Sequence, residues 1–334
     1  MSEVMNQAPL LEVRNLRKLF QAKSSFFAKE KTFIKAVDDV SFTLMPQETL
    51  GVVGESGCGK STMGRSVLRL IQPTSGEIFY KGQDFMKASG NELRKMRADM
   101  QIIFQDPYAS LNPRMTIGEV ITEPLNIQKR YASKEEAREQ VLKVMEVVGL
   151  NPKYYNRYPH EFSGGQRQRI GIARAIVLKP SLVVCDEPVS ALDVSIQSQV
   201  LNLLRRLQSS MGMAYIFISH NLSVIKHISD RVMVMYLGHV VEMGEKKDLF
   251  ENPSHPYTQA LLSAIPMPER HSTRKKIILQ GDLPSPANPP SGCIFHTRCF
   301  MAQDICSTQS PELKDLGNGH MCACHFCGQC KETQ

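Results

Sequence analysis

Nine consecutive residues, Gly54-Glu55-Ser56-Gly57-Cys58-Gly59-Lys60-Ser61-Thr62, have the types and spacing needed to hold a polyphosphate. Glycines let successive backbone N–H groups turn inward onto phosphate oxygens. Lys60 can reach the β- and γ-phosphates, and the Ser61 hydroxyl is placed to ligate Mg²⁺. The apolar run Thr49-Leu50-Gly51-Val52-Val53 before the loop reads as a buried strand, and Met63 to Leu70 after it reads as a helix. That helix directs its positive end at the anion. A chance glycine-rich turn would lack both the filled positions and the correct flanks.

Three further stretches carry chemistry. Leu182-Val183-Val184-Cys185-Asp186-Glu187 is an apolar strand that delivers two carboxylates at its C-terminal edge, where open α/β sheets place their ligands. Asp186 is placed to hold Mg²⁺, directly or through water, and Glu187 to polarise an attacking water. Ser163-Gly164-Gly165-Gln166 precedes a helix expected from Arg167 to Leu178, with Ser163 as its cap, and forms a second anion site. His220 follows the apolar run Ala214 to Ser219. Although a lone histidine is usually structural, one at a strand edge near a phosphate site can contact the γ-phosphate and the attacking water.

The elements that must position these groups follow from periodicity. Strands are expected at Leu10–Leu19, Ala36–Leu44, Ile78–Tyr80 and Met100–Phe104, the last leading to Gln105. Arg231–Tyr236 and Val240–Met243 read as a hairpin around Gly238. Ser133 to Gly149 is the clearest amphipathic helix, with Ser133 as N-cap, Glu136 three residues on, and Val141, Val144, Met145 and Val148 on one face. Another helix runs from Ser190 to about Gln208.

The chain has 334 residues, 42% hydrophobic and 22% charged, which is a globular balance. No apolar run is long enough to cross a bilayer. Met1 to Pro9 lacks a basic start followed by an apolar block, so no secretory signal is read and a cytosolic protein is expected. The net charge is +7, with basic residues crowded at Arg14–Lys35 and Arg270–Lys276. These read as solvated surface in preference to a nucleic-acid or anionic-membrane face. Nine cysteines are present, seven of them from Cys293 onward. In a reducing compartment such a cluster argues for metal over disulfides.

The loop at Gly54, then Gln105, Ser163-Gly164-Gly165-Gln166, Asp186-Glu187 and His220, resemble in order and spacing the ATP-binding cassette family. The resemblance covers roughly residues 10 to 245. It implies an α/β P-loop NTPase cassette: a RecA-like core, a β subdomain and an inserted helical subdomain at about 91–179. By position, Gly54, Gly57, Gly59, Lys60, Ser61 and Thr62 match the first nucleotide motif, with Glu55, Ser56 and Cys58 between them. Phe20 matches the aromatic that stacks on adenine. Gln105 matches a Mg²⁺-contacting glutamine that also senses the transmembrane partner. Ser163 to Gln166 match the signature motif, with Phe162 where leucine is commoner. Asp186 matches the metal-holding acid, Glu187 the catalytic one, Asp193 an aspartate that communicates across a dimer, and His220 the switch histidine. The implied active form is a head-to-tail dimer closed by ATP. One cassette is read here, so the second comes from another chain, either a second copy of this one or a related subunit.

Residues 246–334 narrow the resemblance. Asn252-Pro253-Ser254-His255-Pro256-Tyr257-Thr258-Gln259-Ala260-Leu261-Leu262 is similar to the ATPase subunits of oligopeptide and dipeptide importers, and so is Gly281 to Cys299. The similarity is closest to the dipeptide-type member of a two-ATPase pair. It implies ATP-driven peptide import, with a second cassette, two transmembrane permease subunits and, indirectly, an extracytoplasmic peptide-binding protein, at the cytoplasmic face of the inner or plasma membrane. The same motor could serve nickel or another small solute. A soluble cassette acting on nucleic acid would usually carry two cassettes or a coiled-coil insertion, and neither is visible. A P-loop kinase would leave the signature and switch motifs unexplained.

Cys293, Cys299, Cys306 and Cys324 match positions at which relatives carry a [4Fe–4S] cluster. Four thiolates suit a cubane or a tetrahedral Zn²⁺ equally. Cys322, Cys327 and Cys330 depart from the family pattern, and Cys327-Gly-Gln-Cys330 has zinc-type spacing, so Cys322 competes with Cys324. Cys185 reads as a small buried apolar residue. Cys58, inside the loop, is expected to make the activity sensitive to thiol reagents.

Overall fold

The computed structural model describes residues 8–21, 33–265 and 276–327. Much of both basic stretches, and Cys330, lie outside the described residues. The strands and helices run in the order β1 (Leu11–Gln21), β2 (Phe33–Leu44), β3 (Thr49–Val53), α1 (Lys60–Val67), β4 (Ser75–Tyr80), β5 (Gln83–Asp84), α2 (Gly90–Asp99), β6 (Met100–Ile103), α3 (Ile117–Gln128), α4 (Lys134–Val147), α5 (Gly164–Ile176), β7 (Leu182–Asp186), α6 (Val194–Met211), β8 (Ala214–Ile218), α7 (Leu222–Ile228), β9 (Arg231–Tyr236), β10 (His239–Glu245), α8 (Lys246–Glu251), α9 (Pro256–Ser263), α10 (Asp304–Thr308), β11 (Lys314–Asp315) and β12 (Met321–Cys322). The chain divides into two compact units. One is built mainly from Thr43–Thr49 and Ile78–Ile218, the other from Val13–Phe42, Leu50–Glu77 and the described residues after Ile218.

In the first unit β6, β7 and β8 form a parallel sheet, with Ile103 opposite Cys185 and Cys185 opposite Phe217. Every residue of β7 and β8 is buried, as expected of strands covered on both faces. Asp99 aligns the strand starts. Its carboxylate accepts from the Ser181 N–H at 2.9 Å, the Ser181 hydroxyl at 2.9 Å and the Tyr80 hydroxyl at 2.7 Å. Helices α3, α4 and α5 pack on one another. The expected amphipathic helix is α4: the Ser133 hydroxyl accepts from Glu136 N–H, and Ala137, Val141 and Met145 are buried.

In the second unit β3 pairs in parallel with β9, and β9 returns antiparallel as β10. The turn is Leu237-Gly238 at φ 44° and 83°, the two-residue turn that suits the strand twist. Strand β10 then pairs with β12, and β12 with β11. Glu242 of β10 is fully buried. It accepts from the N–H groups of Ser254 at 2.7 Å and His255 at 3.0 Å, and pairs with His320 Nε2 at 2.7 Å. One carboxylate thus ties the sheet to three positions of the C-terminal region.

Candidate active site

In the second unit the phosphate loop leaves fully buried β3 and enters α1. Gly59 is the N-cap of α1 at φ 101°, so the helix start lies within the loop. The Lys60 ammonium donates to the carbonyls of Gly54 and Glu55, both at 2.8 Å, and closes the loop into a ring. The hairpin turn braces it: Gly238 N–H donates to the Cys58 carbonyl at 2.9 Å. Ser56 and Gly57 are exposed, Ser61 and Thr62 half-buried. Phe20, 38% exposed near the end of β1, has the Lys18 ammonium 4.9 Å from its ring centre. Also in this unit, Ser219 N–H donates to the Val52 carbonyl at 3.0 Å, and His220 after it is exposed.

The expected thiol sensitivity of the loop is corrected by packing. Cys58 is 1% exposed, and burial pushes its thiol pKa up, although Lys60 opposes the shift. A buried neutral thiol is a poor nucleophile. Iodoacetamide is expected to leave Cys58 unmodified in the native chain and to label it after denaturation. Peptide mass mapping reads both, and rapid native labelling of Cys58 would contradict the packing.

In the first unit β7 ends at the fully buried Asp186. Glu187 turns the chain at φ 48°, a left-handed value that only a few per cent of non-glycine residues adopt. Its N–H donates to the Ile218 carbonyl at 3.1 Å, and Gln105 Nε2 donates to its carboxylate at 3.1 Å. The structure therefore brings Gln105 and Glu187 together. Ser163 caps α5 as expected: its hydroxyl accepts from Gln166 N–H at 3.4 Å, and Gln166 Oε1 accepts from Ser163 N–H at 3.1 Å. This reciprocal pair starts the helix at Gly164, three residues before Arg167. It also occupies the Gln166 side chain. A Cβ on Gly165 would stand 2.5 Å from Ile196 Cγ2, so glycine lets the start of α6 approach. Asp193 is the exposed N-cap residue of that helix.

Cys293, Cys299, Cys306 and Cys324 line one small cavity with Phe295, and all of these lie in the second unit. Burial pushes the thiol of Cys293 up and that of Cys299 to about 12. Cys322, fully buried in β12, is not part of this lining, which favours Cys324 over Cys322. Cys327 donates to the Cys324 carbonyl at 3.0 Å. Four thiols around one cavity are a donor set that fits a soft metal centre. Among the described residues no three ligand-type side chains stand at coordination distance from a common point.

A family model described as ABC transporter matches residues 37–190, and one described as oligopeptide/dipeptide transporter, C-terminal region, matches 241–306. The oligopeptide transport ATP-binding protein AppF of Bacillus subtilis is 54% identical over 324 residues, 96% of this chain and 98% of that protein. The chain belongs to the ABC transporter family. The oligopeptide transport ATP-binding protein OppF of Haemophilus influenzae is 55% identical over 324 residues, 96% of this chain and 97% of its own length. Among solved structures, the ATP-binding cassette MJ0796, a dimer in a post-hydrolysis state bound to ADP and Pi, superposes with a TM-score of 0.63 at 28% identity. The match covers 71% of this chain and 98% of that one.

The ABC cassette also holds residues that motif reading passed over. In the first unit the Arg167 guanidinium lies 3.6 Å from the Tyr108 ring centre and donates to the Pro159 carbonyl at 2.7 Å, joining the segment after Gln105 to the helix after Ser163. In the second unit two residues of the C-terminal region reach the phosphate loop, and a third packs on the strand beside it. The Tyr257 hydroxyl accepts from Glu55 N–H at 2.9 Å. One Arg298 nitrogen donates to both Glu55 carboxylate oxygens, at 3.1 and 3.0 Å. Phe295 packs edge-on against Tyr236, with ring centres 5.2 Å apart. No local pattern flags these contacts, because the partners are as far as 243 residues apart in the chain.

Proposed function

We propose that the chain is the ATP-hydrolysing subunit that energises import of di- and oligopeptides through a membrane permease. The observation that carries the hydrolytic reading is the Gln105–Glu187 hydrogen bond at the C-terminal end of a fully buried strand. The peptide reading is supported by relatives named for oligopeptide transport and by the matched C-terminal region. The proposed division is a cassette at residues 10–245, with helices at about 91–179, and an extension at 246–334.

Each residue has a role that its chemistry allows. Gly54 to Thr62 bind the phosphates of ATP, Lys60 neutralising the β- and γ-oxygens. Phe20 stacks on adenine. Ser61, Gln105 and Asp186 each offer an oxygen donor of the kind that suits Mg²⁺, which when bound offsets phosphate charge. Glu187 orients and polarises the attacking water, with Gln105 fixing its carboxylate and His220 contacting the γ-phosphate. Ser163 to Gln166 present the positive end of α5 to nucleotide held by a second cassette, and Asp193 communicates across that dimer. ATP binding closes the dimer and hydrolysis releases it, so the permease alternates between two access states. Cys293, Cys299, Cys306 and Cys324 would hold a metal centre, [4Fe–4S] or alternatively zinc, that staples the extension.

The proposed partners are a similar but separate cassette, two permease subunits and, indirectly, an extracytoplasmic peptide-binding protein, at the cytoplasmic membrane face. Among the described residues no helix is long and apolar enough to cross a membrane. The test is uptake by cells lacking this chain, complemented with wild type or Glu187→Gln and offered labelled peptides and labelled nickel. Peptide uptake restored by wild type alone is expected. Nickel uptake without peptide uptake would keep the motor and overturn the cargo.

A further inference from the structure

We propose that the C-terminal extension sets the conformation of the phosphate loop, with Arg298 and Tyr257 as positioning residues of the ATP site. The proposal rests on the reading of Gly54–Thr62 as that site.

Glu55 places a carboxylate in a loop whose work is to hold a polyanion. Left alone, that charge would oppose nucleotide binding. Arg298 answers it. Its side chain is 10% exposed and that of Glu55 27%, so the pair is largely shielded from water, where charge-assisted bonds are strong. Tyr257 fixes the same residue from the backbone side by accepting from its N–H. Glu55 is therefore held at both its N–H and its carboxylate by the extension, while its carbonyl accepts from Lys60. A shift of Glu55 is passed to the lysine ammonium through that bond.

The mount for Arg298 is rigid. It closes a single tight turn, His296–Arg298, with Arg298 N–H donating to the Phe295 carbonyl at 3.0 Å. Cys293 and Cys299 bracket the turn, and Cys293 N–H donates to the Cys306 carbonyl at 2.8 Å. The rings of Phe295, Tyr236 and Tyr257 meet pairwise at 4.8–5.4 Å between centres. Tyr236 ends β9, the strand paired with β3, which leads into the loop. A continuous set of contacts thus runs from the cysteine-bracketed turn to the phosphate loop within one unit.

The test is a double-mutant cycle in the full chain. Affinity for a fluorescent MgATP analogue, KM and kcat for hydrolysis, and nucleotide-free thermal unfolding are measured together. Arg298→Ala is expected to raise Kd and KM about tenfold while kcat falls less than about threefold. Arg298→Lys is expected to recover part of the loss. In the Glu55→Gln background, where no carboxylate remains to be neutralised, Arg298→Ala is expected to change Kd less than about threefold. Wild-type Kd in a folded Arg298→Ala chain would overturn the proposal, and so would a full, additive loss in the Glu55→Gln background. If Arg298→Ala does not fold, Arg298→Lys against Glu55→Gln carries the same comparison. Lys60→Ala separates the two readings. If it binds nucleotide normally, the assignment of the ATP site itself fails. If it loses binding while Arg298→Ala does not, only the positioning role fails.

Discussion

Glu187→Gln is expected to bind MgATP with an affinity close to wild type and to hydrolyse it about 10²–10⁴-fold more slowly. The substitution keeps size and one acceptor oxygen but removes the group that can take or polarise a proton. The backbone at Glu187 is undisturbed by the change, because its left-handed φ is held by the N–H bond to Ile218 and by Ser190, whose hydroxyl donates to the Glu187 carbonyl at 3.1 Å. Gln105 retains a partner oxygen. Binding and turnover therefore separate, and phosphate release measured beside nucleotide titration reads the separation. Hydrolysis near the wild-type rate would move the base to another residue.

Gly59→Ala is expected to abolish measurable nucleotide binding. A Cβ at this position would stand 2.0 Å from the carbonyl oxygen of Ala36, a backbone atom that cannot rotate away. The residue also sits at φ 101°, where an L side chain is strained. The loop must shift, and Lys60, the next residue, shifts with it. Gly57 provides the comparison inside the same loop. Its φ is 80°, but nothing lies within 4 Å of an added Cβ. Gly57→Ala thus bears only the backbone cost, about 1–2 kcal/mol. Titration and thermal unfolding of the two variants side by side should show complete loss for one and partial loss for the other. Equal behaviour would mean that the close approach to Ala36 is not what requires glycine at residue 59.

What could be read from the sequence was local. The phosphate loop, the apolar strand ending at Asp186 and the hairpin at Gly238 are each specified by neighbours a few residues apart. Gly164-Gly165 has poor helix propensity and points to a start at Arg167, but the Ser163–Gln166 capping pair overrides it and α5 begins at Gly164. The helix expected from Ser190 begins instead at Val194. The chain first turns at Glu187, with Ser190 N–H donating back to the Glu187 carbonyl and Leu192 N–H to that of Val189. Arg298 on Glu55 and Arg167 on Tyr108 were not legible. An exposed-type residue in a tail or a helix carries no mark of a distant partner. That Cys324 lines the cavity with Cys293, Cys299 and Cys306, while the buried Cys322 does not, is likewise visible only in the fold.

The pairing of β12 with β10 has a consequence for how the protein can be shortened. A chain ended after Glu245 would strip the partner from a strand bearing Val240, Val241 and Met243, all nearly inaccessible in the intact fold. It would also leave the Glu242 carboxylate without His320, Ser254 and His255. An apolar strand with open hydrogen-bonding groups is a template for intermolecular sheet growth. The extension therefore covers that edge, and a chain cut after Glu245 is expected to self-associate.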